Sequence, residues 1–187
     1  EDYLCISGSL PRGIESTILV DISRICQERD VHLIIDSSYK EIMDCLPYHP
    51  FLLKPNEEEL ASWFGEIIDS EEAYLFYGQQ LIKAGAQNVL LSLGSGGAIF
   101  FSQTKIIRGN SPIGKVVNTA CAGDTLLGTF LAGYLTEQPL EETLRKSLAA
   151  GSSTAFRKGL TDFSDVKELS KQIEIKEEGL KTWEIIN

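Results

Sequence analysis

The chain has 187 residues, 43% of them hydrophobic and 24% charged, the balance of a globular domain and not of a disordered or fibrous chain. Against 17 basic residues stand 27 acidic ones, a net charge of −10, which excludes a broad nucleic-acid or anionic-membrane surface because both require a basic field. No stretch approaches the roughly 18 apolar residues of a membrane span, and the opening Glu1-Asp2-Tyr3-Leu4-Cys5-Ile6-Ser7 lacks the basic flank and apolar stretch of a secretion signal, so a cytoplasmic protein is expected.

The chain opens on Glu1 and its sole methionine is Met43, so residue 1 is expected to lie inside a longer protein. Tyr3-Leu4-Cys5-Ile6 is a short apolar run that stops at the loop Ser7-Gly8-Ser9-Leu10-Pro11-Arg12-Gly13. Ile14, Ile18, Ile22 and Ile25 recur at three- and four-residue spacing, which predicts a helix with one apolar face. Val31–Asp36, Phe51–Leu53 and Asn88–Leu93 read as further buried strands, with helices predicted at about 39–46, 56–64 and 71–84. Strand and helix in alternation, with apolar strands covered on both faces, predict a doubly wound, mainly parallel α/β sheet.

After Leu93 the pattern changes. Gly94-Ser95-Gly96-Gly97 leads into Ala98–Phe101 and Lys105–Arg108, a predicted hairpin or meander at a sheet edge, and Lys115–Thr119 is a further strand-like run. Helical periodicity returns at about 123–136 and 140–156, followed by a polar helix near 164–172 and the charged tail Glu174–Glu178. No repeat or low-complexity linker divides the chain.

Cys5, Cys26, Cys45 and Cys121 form no C-x-x-C pair, and His32 and His49 complete no zinc spacing. Cys5, Cys26 and Cys45 are expected to be small buried hydrophobes in a reducing compartment, and the two histidines structural or surface residues. The absence of G-x-S-x-G leaves a serine hydrolase without support.

Five segments are candidates for chemistry. Asn118-Thr119-Ala120-Cys121-Ala122-Gly123-Asp124-Thr125 is a small-residue turn that opens an apolar helix. Free N–H groups at a helix start hold anions, and Ala122 and Gly123 leave them accessible. Asp124 there either takes a proton from an attacking hydroxyl or, with Thr125, simply caps the helix. Lys54-Pro55-Asn56-Glu57-Glu58-Glu59 has the capping-box spacing in Asn56 and Glu59; the same carboxylate at a parallel strand end also suits a hydrated Mg²⁺ beside a nucleotide phosphate. Ser92-Leu93-Gly94-Ser95-Gly96-Gly97 is not a Walker A loop or a dinucleotide fingerprint, which leaves a Gly-rich turn or phosphate contact by Ser92 and backbone N–H groups. The Ser7–Gly13 loop suits either an anionic sugar or an ordinary strand–helix connection. Ala149-Ala150-Gly151-Ser152-Ser153-Thr154-Ala155, a run of small residues in a helix, permits close packing or gives a flat nucleoside room.

In this order the segments resemble the ribokinase-like sugar kinases of the phosphofructokinase B type, closest in pattern to the 1-phosphofructokinase and tagatose-6-phosphate kinase branch. The resemblance rests on Ser-Gly-Ser-Leu-Pro-x-Gly at 7–13, Lys-Pro-Asn-x-x-Glu at 54–59, Ser-Leu-Gly-x-x-Gly at 92–97 and Ala-Gly-Asp at 122–124. It implies that residues 1–187 are the C-terminal, nucleotide-binding part of one kinase domain whose N-terminal part, with the lid and much of the sugar site, is not in the chain. The implied reaction is ATP-dependent phosphorylation of fructose 1-phosphate or tagatose 6-phosphate to a bisphosphate. The alternatives are a kinase of a non-phosphorylated sugar or nucleoside, or a nucleotide-binding module without turnover.

The resemblance implies Asp124 as catalytic base, with the N–H groups of Cys121, Ala122, Gly123 and Asp124 as an anion hole for the transferring phosphoryl. Asn56 and Glu59 are implied for Mg²⁺. ATP would meet Asn56, Ser92, Gly94, Thr119 and Gly123 along its phosphates and Gly151 and Ser152 at its nucleoside, and the phosphosugar would meet Gly8 and Ser9. It implies small-molecule partners only, without nucleic acid or membrane, and leaves room for a homodimer of the full-length enzyme. Two departures stand out: Cys121 replaces a family glycine, and Arg157 lies where relatives that bind a monovalent cation often carry Asn, so no cation is assigned.

Overall fold

The computed structural model describes residues 2–179, which fall into two units. The first comprises residues through Leu91 together with Phe100–Lys105; the second comprises Ser92–Ile99 and Ile106–Glu178.

The first unit alternates strand and helix: β1 (Asp2–Ser7), α1 (Ile18–Glu28), β2 (Val31–Asp36), a 3₁₀ segment (Lys40–Tyr48), β3 (Leu52–Leu53), α2 (Glu57–Phe64), α3 (Glu71–Ala84) and β4 (Asn88–Ser92). The strands pair in parallel in chain order, β1 with β2, β2 with β3 and β3 with β4. Their unbroken apolar runs, Leu33-Ile34-Ile35, Leu52-Leu53 and Val89-Leu90-Leu91, are buried, as strands covered on both faces must be. Ser70 caps α3 by accepting from Ala73 N–H, and α2 ends at Gly65 with φ +69°, a conformation that favours glycine.

Three expectations for this unit change. The helix at 39–46 is a 3₁₀ segment running to Tyr48, and it contains Pro47, which has no N–H to give to an α-helical ladder. The helix with the isoleucine stripe starts at Ile18, and it buries Leu19, Ser23 and Cys26. Ile14, Ile18 and Ile25 instead stay 50%, 37% and 47% exposed. The apolar run of β1 is likewise uncovered, and Cys5 is exposed where a buried position is expected. Among the described residues β1 pairs with β2 alone, which makes it an edge strand, and edge position leaves its residues less enclosed than those of β2 to β4. Cys26 and Cys45 are buried as expected, and burial pushes both thiols above their ordinary value.

The second unit holds β6 (Ile106–Gly109), α4 (Ala122–Leu135), α5 (Leu140–Ala155), α6 (Val166–Ser170) and β7 (Ile175–Glu178). A further strand, β5 (Ala98–Ser102), has its residues divided between the units. The expected β-turn chemistry is present at Gly94–Gly97, where Leu93 N–H donates to the Gly97 carbonyl at 2.8 Å. Gly97 has φ +93°, and a Cβ there would meet the Gly109 carbonyl oxygen at 1.9 Å, so no other residue fits. The charged tail is not a tail: it forms β7, antiparallel to β6 with Ile106 opposite Glu178 and Gly109 opposite Ile175. Its three consecutive charged residues, Lys176, Glu177 and Glu178, suit an edge strand. Lys115–Thr119 is no strand; its Val117 and Asn118 N–H groups both donate to the Ala155 carbonyl at the end of α5. The polar helix near 164–172 shortens to Val166–Ser170. Among the described residues no helix is long and apolar enough to cross a membrane.

Candidate active site

In the first unit, the loop after β1 is tied to the end of β2. Gly8 N–H donates to the Asp36 carbonyl at 2.9 Å, Ser37 Oγ donates to the Gly8 carbonyl at 2.6 Å, and Leu10 N–H donates to the Tyr39 hydroxyl at 3.0 Å. Gly8 has φ +85° with open space around it, and Ser9 is exposed. The loop is thus held at its backbone while its surface stays available.

At the end of β3, Lys54 is buried and its ammonium lies 3.0 Å from Asp36 Oδ1, itself nearly buried. Sequence reasoning assigns neither residue a role. The signal lies in adjacent positions: the register pairs Ile35 with Leu53, which places the next residues, Asp36 and Lys54, side by side. A lysine following a wholly buried strand needs such a carboxylate, since an unpaired buried charge is costly.

The next residues form the full capping box. Asn56 Oδ1 accepts from Glu59 N–H at 2.8 Å, and Glu59 Oε2 accepts from Asn56 N–H at 2.9 Å. The capping reading is therefore correct, and it uses one oxygen of each side chain. Glu59 Oε1 makes no hydrogen bond among the described residues. Among those residues no group of three or more His, Cys, Asp or Glu side chains is placed to hold a metal ion by itself. This donor set fits Mg²⁺ held largely through its own waters, the mode that ion favours, and does not fit a cage of protein ligands.

In the second unit, α4 starts from Cys121, which has φ +62° and ψ 6°. This left-handed conformation is natural for glycine and costly for other residues, which gives a physical reason for the family glycine at this position. The turn sorts the N–H groups. Ala122 N–H donates to the Thr119 carbonyl at 3.2 Å and Thr125 N–H to the Cys121 carbonyl at 2.9 Å, while Ala120 N–H is taken by Asn118 Oδ1 at 3.0 Å. The N–H groups of Cys121, Gly123 and Asp124 remain without a hydrogen bond among the described residues, whereas that of Ala122, the fourth group the resemblance implies, is already bonded. Asp124 is exposed and caps nothing. Thr125 also does not cap through N2 or N3; its hydroxyl donates back to the Cys121 carbonyl at 2.9 Å.

Of the remaining candidates, Thr119 is exposed and its carbonyl takes Ala122 N–H. The Gly94 carbonyl accepts from Ser111 Oγ at 3.1 Å, and Ser92 ends β4, half-buried. Gly151 is buried, and a Cβ there would meet the Ala122 carbonyl oxygen at 3.0 Å and Leu126 Cβ at 3.2 Å, so the small-residue run does serve close packing of α5 on the first turn of α4. Ser152, next to it, is half-buried. Arg157 lies 2.6 Å from Asp162 and 2.9 Å from Asp165, a cluster that sequence reasoning missed because its members meet only when the loop after α5 folds back. Its guanidinium, with hydrogen bonds from Ser164 as the stronger influence, holds Asp162 well below the usual carboxylate range. Burial alone would raise Asp165, but Ser153 and Arg157 outweigh it and hold that carboxyl down as well.

The sequence over residues 1–167 matches the pfkB family of carbohydrate kinases. It is 43% identical over 174 residues to a D-tagatose-1-phosphate kinase of Bacillus licheniformis and 33% identical over 174 residues to a 1-phosphofructokinase of Bacillus subtilis, covering 92% and 93% of this chain. The chain spans 57% of the length of each of these relatives. Among solved structures, Escherichia coli phosphofructokinase-2 in complex with substrates and products matches with a TM-score of 0.82 and 28% identity, over 90% of this chain and 56% of that one. Ribokinase of Arabidopsis thaliana complexed with ribose and ATP matches with a TM-score of 0.72 and 27% identity, over 90% of this chain and 55% of that one. The parallel strands, the open N–H groups at the start of α4 and the shared sequence agree: this chain belongs to the pfkB family of carbohydrate kinases and has its ribokinase-like α/β fold.

Proposed function

We propose that this chain is the nucleotide-binding, C-terminal part of a kinase that transfers the γ-phosphoryl group of ATP to a ketohexose 1-phosphate, giving a bisphosphate. The observation that carries the reading is the start of α4, where the exposed, unbonded carboxylate of Asp124 stands beside the open N–H groups of Cys121, Gly123 and Asp124. Phosphoryl transfer asks mainly for positioning and charge stabilisation. Asp124 accepts the proton of the attacking sugar hydroxyl, and the open N–H groups receive the charge of the moving phosphoryl. Their free hydrogens and the helix dipole favour an anion there.

Asn56 and Glu59 would hold a hydrated Mg²⁺, which would supply neutralisation of phosphate charge. Ser92, Gly94 and Thr119 meet the ATP phosphates, and Gly151 and Ser152 border the nucleoside. Gly8 and Ser9 contact the phosphosugar, whose remaining contacts come from outside this chain, so the chain alone is expected to be inactive. A 1-phosphate is preferred over tagatose 6-phosphate because both named relatives, a D-tagatose-1-phosphate kinase and a 1-phosphofructokinase, point to position 1.

The test is an ATP-coupled assay of the full-length parent against fructose 1-phosphate, tagatose 1-phosphate, fructose 6-phosphate, tagatose 6-phosphate, ribose and adenosine. A 1-phosphate is expected to give the highest kcat/KM, and Asp124→Asn to lower kcat by about 10²–10⁴-fold. Normal turnover in Asp124→Asn would sink the assigned base. ATP binding without turnover on any sugar would favour the nucleotide-binding module, the reading that the side chain of Cys121 at the anion hole keeps in play.

A further inference from the structure

Ser153 and Thr154 are hydroxyl residues in the last turn of α5, 0% and 2% exposed, and buried hydroxyls need partners for their protons. Following those protons gives two directed chains. In the first, Thr125 Oγ1 donates to the Cys121 carbonyl at 2.9 Å. Its 3.0 Å contact with Thr154 Oγ1 is then one in which Thr154 donates, and Thr154 in turn accepts from Thr161 N–H at 3.1 Å. In the second, Ser153 Oγ donates to Asp165 Oδ1 at 2.5 Å. Thr161 Oγ1 therefore donates to Ser153 Oγ at 2.7 Å and accepts from Phe163 N–H at 2.9 Å.

Both chains run through Thr161, by its backbone in the first and its hydroxyl in the second. The second ends on the carboxylate that Arg157 holds at 2.9 Å. The first ends on the carbonyl of Cys121, the non-glycine residue with φ +62° from which α4 starts. All donors in each chain point the same way, and such chains strengthen by mutual polarisation. A left-handed cysteine does not hold itself in place; its carbonyl shares a peptide plane with Ala122 N–H, between the open N–H of Cys121 and those of Gly123 and Asp124, so a rotation of that plane re-aims the groups on either side of it.

We propose that Thr154 and Thr161 are positioning residues, which transmit the anchorage of the Arg157–Asp165 pair to the Cys121 turn and so hold the open N–H groups in the alignment that phosphoryl transfer requires. This rests on the kinase reading above. The two residues touch no substrate; they act through Thr125 and Cys121.

The test uses the full-length parent carrying Cys5→Ser, which leaves Cys121 as the exposed thiol among the described cysteines. Thr154→Val removes the bridging hydroxyl at nearly constant volume. It is expected to lower kcat about tenfold, the effect of misaligning one or two hydrogen bonds in a transition state, with KM for ATP within about twofold. Iodoacetamide is expected to alkylate Cys121 several-fold faster, and Thr154→Ser to restore both readouts. Arg145→Met, which removes a donor to the Ile173 carbonyl elsewhere in the same unit, is expected to lower the melting temperature and move neither.

If kcat and alkylation in Thr154→Val both stay within twofold, or if Thr154→Ser fails to restore them, the proposal is overturned. It is equally overturned if Arg145→Met reproduces both changes. Should Thr154→Val not fold, Thr161→Val keeps its N–H and cuts only the second chain, and a smaller change in the same direction is expected. An unmodified parent without kinase activity defeats the kinase reading alone, because the alkylation rates need no turnover and still decide the relay.

Discussion

At Cys121 the backbone takes a conformation that a residue with a Cβ disfavours. Its left-handed φ of +62° costs roughly 1–2 kcal/mol for a residue with a Cβ, partly offset in a glycine variant by the larger entropy glycine loses on folding. Cys121→Gly is therefore expected to stabilise the parent by up to about 1 kcal/mol, whereas β-branched Cys121→Val is expected to destabilise it by more than about 1 kcal/mol. Denaturant midpoints check this, and equal midpoints for the two variants would remove the strain argument. At this scale the sequence was legible where a local pattern decides the geometry, as in the capping box of Asn56 and Glu59. It was silent where partners come from distant segments. Lys54 and Asp36 are 18 positions apart and meet because the parallel register of their strands sets them abreast.

At the scale of elements, the helices with strong local signals lie where periodicity and caps put them: α2 with its capping box, α3 with Ser70 and Gly85, and the pair α4 and α5. The misread segments are those whose state is decided by neighbours. Val116 and Val117 have strand-forming side chains, yet the Val117 N–H, with that of Asn118, donates to the Ala155 carbonyl at the end of α5. Residues 175–178 are rich in charge, yet β6 offers them an edge to pair with.

The loop after α5 is an electrostatic element, and its pH response has a definite sign. Asp162 and Asp165 both have folded-state values depressed below the ordinary 3.8. Their contribution is therefore complete above that value and is lost as pH falls through the depressed ones. Carbon-13 NMR of the parent is expected to show Asp162 titrating below 3.8, with Ser164→Ala and Arg157→Met each moving its midpoint upward. A midpoint that neither substitution moves would mean that the cluster does not hold the loop.

For the molecule as a whole, the residues left uncovered are as informative as the core. Tyr3 and Leu4 on β1 and Ile14, Ile18 and Ile25 at and along α1 are all at least 36% exposed, and uncovered apolar side chains in this number favour association. The 187-residue chain expressed by itself is expected to bind the dye ANS and to self-associate as its concentration rises. The double substitution Ile18→Lys and Ile25→Lys should reduce both effects. Sedimentation and fluorescence titrations check this, and a dye-silent monomer at all concentrations would overturn it. The repeated isoleucines signalled an amphipathic helix correctly, but periodicity alone does not say which face the fold covers.

The chain-order pairing of β1 to β4 has a consequence during synthesis. Each parallel strand of that unit finds its partner in the segment made immediately before it, one crossover away, so no strand must wait for a distant one to emerge. A single crossover costs less loop entropy to close than a longer excursion through the chain, and the lower contact order favours faster pairing than a rearranged strand order would. On the ribosome, this half of the sheet can therefore grow by addition at one side, in the order in which its strands leave the exit tunnel.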